Sequence, residues 1–393
     1  MPPYVDVVPV PSYGDAVPVP PYADAVPVRP YADAVPSYVA GSPDLSPLLL
    51  GWLSRVMVMA ASTEGARAAR AFTHDFPFDP SYGRTLDDLL RIPAPEGPAD
   101  FDAFWRGRYE QARAVAPRPE LGPLVEERDG VRIHEVSYTS VGGVRLGGWL
   151  VLPAEGAAEH GFVIGHGYGG REAAGADVPL PLPHSAAILP CVRGMADRSL
   201  SPTVPSVAGE HVLHGIGSRE TYVIGECVAD LWCAASALLE LVPELNTSAP
   251  RLGYRGVSFG GGLGALVLPW DDRFAAGQLT VPTFGNHPLR VTLDCAGSGA
   301  AVRRHHADHP EVLDVLAYFD AATAARKLHK PVLVAAALFD PSVPPPGQFA
   351  VHNGLAGPRD LMVCEAGHFD YEGTQAEQEQ LDAATAEFFA RVL

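Results

Sequence analysis

The chain of 393 residues is poor in positive charge, with 28 Lys and Arg against 46 Asp and Glu and a formal net charge of −18 at pH 7. Lys327 and Lys330 are its only lysines. A chain without a basic field cannot gain affinity by displacing counterions from a phosphate backbone, so nucleic acid is not expected as a partner. Cysteine is scarce and scattered, at Cys191, Cys227, Cys233, Cys295 and Cys364, with no C-x-x-C pair to suggest zinc or redox chemistry. Cys227 and Cys233 fall on one predicted helix, separated by a rise of about 9 Å at about 1.5 Å per residue, beyond disulfide reach. All five are expected to be reduced. A long apolar run is missing too: residues 45–62 are apolar but interrupted by Arg55, short for a membrane span, with no basic stretch ahead of them to make a secretory signal. These absences predict a cytoplasmic protein with no membrane partner. The glycines of residues 165–170 are not followed by an acid at the end of the next predicted strand (186–194), so the dinucleotide-binding fingerprint of G-x-G-x-x-G with its downstream acid is missing.

Proline, by contrast, is abundant at 39 residues. Ten of these lie in residues 2–37, four copies of a nine-residue unit: PPYVDVVPV, PSYGDAVPV, PPYADAVPV and RPYADAVPS. Two or three prolines per unit remove backbone donors and favour extended conformations, and so few large aliphatic residues cannot bury a core. Residues 1–62 are therefore expected to be a disordered extension of repeats and apolar linker, ahead of a folded domain over 63–393. The repeats read either as a Pro/Tyr-rich ligand segment for a partner or as a tail without packed structure. Met57 and Met59 are workable alternative starts.

From about residue 72 the pattern changes. Residues 100–116 read as an amphipathic helix, and 131–140 and 144–153 as paired strands rich in β-branched and aromatic residues. Residues 161–170 pass from an apolar strand into a glycine-rich turn, and 186–194 repeat that form. Residues 221–242 place Ile224, Val228, Leu231, Ala235, Leu238 and Val242 at helical spacing, a long helix with one buried stripe. Residues 251–268 run from strand through a Gly-flanked turn into a helix; 274–281, 331–340 and 359–364 supply later strands, and 375–393 a closing helix. Strands alternating with helices imply an α/β fold, a mostly parallel sheet with helices on both faces. Sites on such sheets gather at the C-terminal ends of the strands.

Three strand ends carry chemistry. Gly256-Val257-Ser258-Phe259-Gly260 is a G-x-S-x-G placed between a strand and a helix, where the tight turn pushes a serine hydroxyl out of the sheet. A hydroxyl needs a general base, itself oriented by a carboxylate, and on such sheets the chain order is Ser, acid, His. Asp340 follows the apolar run 331–339 and precedes a proline-stiffened loop; His368 follows the strand 359–364. These two are the expected partners of Ser258. His305, His306 and His352 read as surface residues, and Asp294 and Asp370 are the rival acids. An oxyanion needs two preorganised backbone donors, and losing one costs about 10²–10³-fold in rate. The N–H of Phe259 and that of Tyr168, in the loop Gly165-His166-Gly167-Tyr168, are the candidates.

Taken in order, these landmarks resemble the acetyl xylan esterase and cephalosporin C deacetylase family of α/β-hydrolases, over roughly residues 76–393. The resemblance rests on PADFDAFWRGRYEQA near residue 100, the HGY turn (166–168), Arg193-Gly194, the GVSFGG elbow (256–261), the stretches 309–334 and 339–357, and Gly367-His368. It implies an α/β-hydrolase fold with a helical insertion before the acid-bearing strand. It also implies removal of acetyl groups from oxygen on a sugar or small metabolite through an acetyl-serine on Ser258, completed by Asp340 and His368. No cofactor or metal is implied, and ring-like homo-oligomers are. The chain departs from the family pattern at Met195, Phe259 and Phe369, where polar residues are usual, which predicts a more apolar site and a preference for hydrophobic acetate esters. The alternatives are a serine peptidase on the same fold and a catalytically silent binding protein.

Overall fold

A ten-stranded sheet runs through the computed structural model, which describes residues 55–58 and 69–393. The nine-residue repeats, and the expectation that they are disordered, lie outside the described residues. In chain order the strands are β1 (Arg55–Val58), β2 (Glu120–Arg128), β3 (Val131–Thr139), β4 (Arg145–Pro153), β5 (His160–Gly165) and β6 (Ser185–Pro190). β7 (Leu252–Val257), β8 (Phe274–Thr280), β9 (Val332–Phe339) and β10 (Arg359–Ala366) follow. Their spatial order is β1-β10-β9-β8-β7-β5-β6-β4-β3-β2. The pairs from β1 to β6 are parallel, whereas β6-β4, β4-β3 and β3-β2 are antiparallel. The predicted mostly parallel α/β sheet is therefore present.

The parallel strands are buried on both faces, and their sequences show it. β9, VLVAAALF, is buried at every position, as the centre of a sheet covered on two sides requires. One face packs a large core containing Trp105, Trp232, Phe259, Phe284, Phe319 and Phe349; the other packs Phe162, Phe388 and Phe389 with Trp149. Of the three buried tryptophans on the first face, Trp105 donates to the Tyr318 carbonyl (2.8 Å) and Trp232 to that of Val267 (3.2 Å), whereas Trp270 Nε1 has no partner among the described residues. The closing helix Thr374–Val392 covers the second face with Leu381, Phe388 and Phe389. Among the described residues, no helix is long and apolar enough to cross a membrane, and all five cysteines are buried and outside any disulfide.

Three features differ from the sequence expectation. The helix Val223–Leu241 buries 14 of its 19 residues rather than one stripe, because the helix Phe101–Arg113 covers its outer side through Trp105, edge-on to Trp232 at 6.2 Å. β2 was not anticipated: ELGPLVEER lies exposed at the sheet edge, with Pro123 and register shifts between Leu121 and Glu126, so it carries neither alternation nor an apolar run. At the opposite edge, β1 pairs with β10 from within the segment assigned to the extension, on the far side of the expected boundary at 62/63. The predicted insertion between β8 and the acid-bearing β9 is helical, with helices His287–Arg290, Gly297–Asp308, Val312–Leu316 and Ala321–Ala325.

Candidate active site

Ser258 follows β7 and precedes the helix Phe259–Val267, with φ 55° and ψ −110°, a region that a residue with a Cβ rarely enters. Backbone hydrogen bonds hold the turn: Ser258 N–H donates to Thr280 O (2.8 Å), and Ser258 O accepts from Gly262 N–H (3.0 Å) and Thr283 N–H (3.1 Å). Glycine is required at the strand side of the turn, because a Cβ on Gly256 would stand 2.4 Å from the Gly260 carbonyl oxygen. The motif therefore folds as a sharp elbow tied to the end of β8.

His368 and Asp340 converge on that elbow from the ends of β10 and β9. His368 Nε2 lies 2.9 Å from Ser258 Oγ, and its Nδ1 lies 2.9 Å from Asp340 Oδ2. The Asp340 carboxylate is fully buried, and Oδ1 accepts from the N–H groups of Ser342 (2.8 Å) and Val343 (2.9 Å). An acceptor-only carboxylate next to Nδ1 fixes the tautomer that leaves Nε2 free to take the serine proton. Burial disfavours the charged imidazole, but the charge and hydrogen bond of Asp340 outweigh it and raise the His368 pKa above its ordinary value. A Cβ on Gly367 would stand 2.4 Å from Asp340 Oδ2, so only glycine lets the His368 loop approach the acid this closely.

One participant was missed at the level of sequence. Gln348, fully buried on the helix Pro345–Gly354, donates through Nε2 to Asp340 Oδ2 (2.9 Å) and Val343 O (2.6 Å), and accepts from Ala337 N–H (2.8 Å) through Oε1. A lone amide within the apolar run PPPGQFAV was the available signal.

The loop proposed for the second oxyanion donor lies against the nucleophile: a Cβ on Gly167 would sit 3.8 Å from Ser258 Cβ. Phe259 opens its helix, so its N–H has no intrahelical partner, and among the described residues the Tyr168 N–H makes no backbone hydrogen bond. His166 ties this loop to β6, accepting from Val192 N–H (3.2 Å) and donating to Gly167 O (2.7 Å). Burial, then the nearby Arg171 charge, lowers its pKa to about 4, which keeps it neutral. Arg193 of the Arg193-Gly194 pair makes a buried ion pair with Asp230 (2.6 Å) and a second with Glu226 (2.8 Å), clamping the end of β6 to the helix Val223–Leu241.

Phe259 is buried with its ring stacked on Tyr168, centroids 3.9 Å apart, and Phe284 stands edge-on to it at 5.9 Å. His211 closes the group, donating from Nε2 to Arg193 O (3.1 Å) and facing the Tyr168 hydroxyl at 3.4 Å. Of the other departures, Met195 is buried in the large core. Phe369 packs on Phe72 and Phe339 behind the acid–base pair. Phe72 belongs to an N-terminal strap whose Pro80 carbonyl accepts from Asp340 N–H (3.1 Å). His352 corrects an expectation: it is buried on the helix Pro345–Gly354, not on the surface, and burial lowers its pKa to about 4. His305 and His306 are half-buried. The rival acid Asp294 is paired with Arg303 (2.6 Å), and Asp370 is exposed. Among the described residues, no group of three or more His, Cys, Asp or Glu could hold a metal ion.

The family model for acetyl xylan esterase (AXE1) matches residues 85–385. The chain belongs to the acetyl xylan esterase family. It is a carboxylic ester hydrolase. In fold the esterase is similar to an acetyl xylan esterase from Paenibacillus sp. R4, at 22% identity over 77% of this chain and 99% of that one, with TM-score 0.67. It is likewise similar to acetyl xylan esterase 1 from Thermoanaerobacterium sp. JW/SL YS485, at 20% identity over 76% and 98% of the two chains, with TM-score 0.66. A Pyrococcus horikoshii acylaminoacyl peptidase matches 68% of this chain but 42% of its own, at 16% identity and TM-score 0.52. The α/β-hydrolase fold is thereby established for the esterase.

Proposed function

We propose that the esterase removes acetyl or similarly short acyl groups from oxygen of a sugar or small metabolite through an acyl-enzyme on Ser258. The observation that carries this reading is the pair of 2.9 Å contacts joining Ser258, His368 and Asp340. In the proposed mechanism His368 Nε2 takes the Ser258 proton as Oγ attacks the ester carbonyl. The oxyanion is held by the N–H groups of Phe259 and Tyr168, and the alcohol leaves with the proton returned by His368. Water then repeats the sequence on the acyl-serine. The stacked Tyr168 and Phe259 rings, closed by Phe284, support a short acyl group and a preference for hydrophobic acetate esters over oligosaccharide. Comparable rates on acetylated xylo-oligosaccharides and apolar aryl acetates count against that preference. The catalytic unit we propose runs from residue 63 onward, together with the strand Arg55–Val58.

The test is turnover of 4-nitrophenyl acetate, longer acyl esters and a peptide amide, with Ser258→Ala as control. Acetate turnover that falls by about 10⁴–10⁶-fold in the variant supports the reading. Cleavage of the amide, or acetate turnover that survives the substitution, overturns it.

A further inference from the structure

Arg290 is a buried cation without a counter-ion among the described residues. It ends the short helix His287–Arg290 after β8 and is 3% exposed, and its Nε, Nη1 and Nη2 have no hydrogen-bond partner among the described residues. The other buried arginines are neutralised, Arg171 by Asp177 at 2.7 Å and Arg193 by Asp230 at 2.6 Å. Arg290 has instead the face of Phe284, 5.6 Å from its Cζ. A ring face offsets a small part of what a guanidinium loses on leaving water, so an uncompensated one is retained where a ligand supplies the missing charge.

Its position says which ligand. Phe284 stands edge-on to Phe259, so the guanidinium lies one ring behind the wall beside Ser258. Tyr222, fully buried, has a hydroxyl that also lacks a partner, and it lies near enough to feel the Arg290 charge, as does the Tyr168 hydroxyl. A Cβ on Gly299 would come within 3.1 Å of Nη2 and 2.6 Å of Cys295 Sγ, so only glycine packs against that edge of the fork. A planar fork with unused donors, with an unused phenol within its electrostatic reach, matches the two oxygens of a carboxylate.

We propose that Arg290, assisted by Tyr222, binds the carboxylate of an acidic ester substrate. The inference rests on the ester-hydrolase reading of Ser258 and narrows its substrate class to esters with an anionic end beyond an apolar middle. The carboxylate sits on either the acyl or the alcohol side of the ester, and matched pairs of substrates separate the two.

The experiment compares 3-acetoxybenzoate with its methyl ester, and phenyl hemisuccinate with phenyl methyl succinate. In the wild-type protein the acid of at least one pair is expected to have the higher kcat/KM by about 10–100-fold, the scale of a hydrogen bond to a charged group. Arg290→Gln is expected to remove that preference by lowering kcat/KM for the acid. A second readout is free of turnover: benzoate should raise the melting temperature of Ser258→Ala but not of Ser258→Ala/Arg290→Gln. No acid preference in either pair overturns the proposal, even where benzoate stabilises the protein, since that leaves an anion site apart from the substrate. A fall of acid and methyl ester by the same factor in Arg290→Gln assigns the side chain to packing and also overturns it. The wild-type comparison needs no variant, so a poorly folding Arg290→Gln protein does not remove the test. If Ser258→Ala keeps full turnover, the ester-hydrolase reading fails by itself; benzoate stabilisation that depends on Arg290 then still upholds the carboxylate site.

Discussion

Gln348→Met removes the hydrogen bonds of one buried amide while nearly conserving its volume. Its Nε2 donates to Asp340 Oδ2 and Val343 O, and its Oε1 accepts from Ala337 N–H, at 2.6–2.9 Å. The side chain is fully buried, so water cannot replace these bonds. Leaving the Ala337 N–H and Val343 C=O unpaired costs about 1–3 kcal/mol for each group at most, and the variant should lose about 2–4 kcal/mol in urea unfolding. Asp340 keeps the Ser342 and Val343 amides and His368. It therefore stays beside His368, held less firmly, with more of its charge available to the imidazole. In the wild-type protein burial opposes protonation of His368, and the Asp340 charge and hydrogen bond outweigh it, so its pKa is raised. The neutral imidazole is the base, so activity is lost as pH falls through that pKa. The acid limb of kcat/KM thus lies above the ordinary imidazole range and moves higher still in Gln348→Met. A less constrained carboxylate should also lower the plateau by about tenfold. The assay is the pH profile with 4-nitrophenyl acetate. An acid limb that stays in place or moves down, whatever the plateau does, refutes the assignment of Gln348 to positioning Asp340.

Gly256→Ala drives a Cβ to 2.4 Å from the Gly260 carbonyl; the elbow must shift, and acetate turnover should fall by about 10²-fold or more. Asp230→Asn removes the charge facing buried Arg193, and urea unfolding should show a loss of about 3–5 kcal/mol. Phe259→Leu removes the ring stacked on Tyr168 at 3.9 Å and keeps the backbone N–H. The ratio of hexanoate to acetate turnover should rise, and an unchanged ratio places the acyl limit elsewhere.

The parts of the fold legible from sequence are those encoded by near neighbours. The apolar run at β9, the Gly-flanked turn at Ser258 and the amphipathic segment 100–116 each announce an element through spacing or turn chemistry. β2 was illegible because an exposed edge strand needs no apolar face. The full burial of Val223–Leu241 was hidden because its second cover, the helix with Trp105, lies more than a hundred residues earlier. His352 was misplaced for the same reason: the outer face of its helix is covered by the segment before residue 93, where Leu89 O and Ile92 O accept from Asn353.

Sequence alone singled out the candidate residues, because a Gly-flanked serine, an acid and a histidine at successive strand ends are local signals in a set order. It also determined that the chain carries a net charge of −18. Tertiary structure decided what those residues meet. His368 reaches Ser258 across 110 residues of chain, Gln348 adds a donor to the Asp340 carboxylate, and Phe259 finds Tyr168 as its stacking partner. Arg290 is left with no counter-ion among the described residues. Such contacts, made or missing, depend on which elements the sheet order brings side by side, and the spacing of residues along one strand or helix does not contain that information.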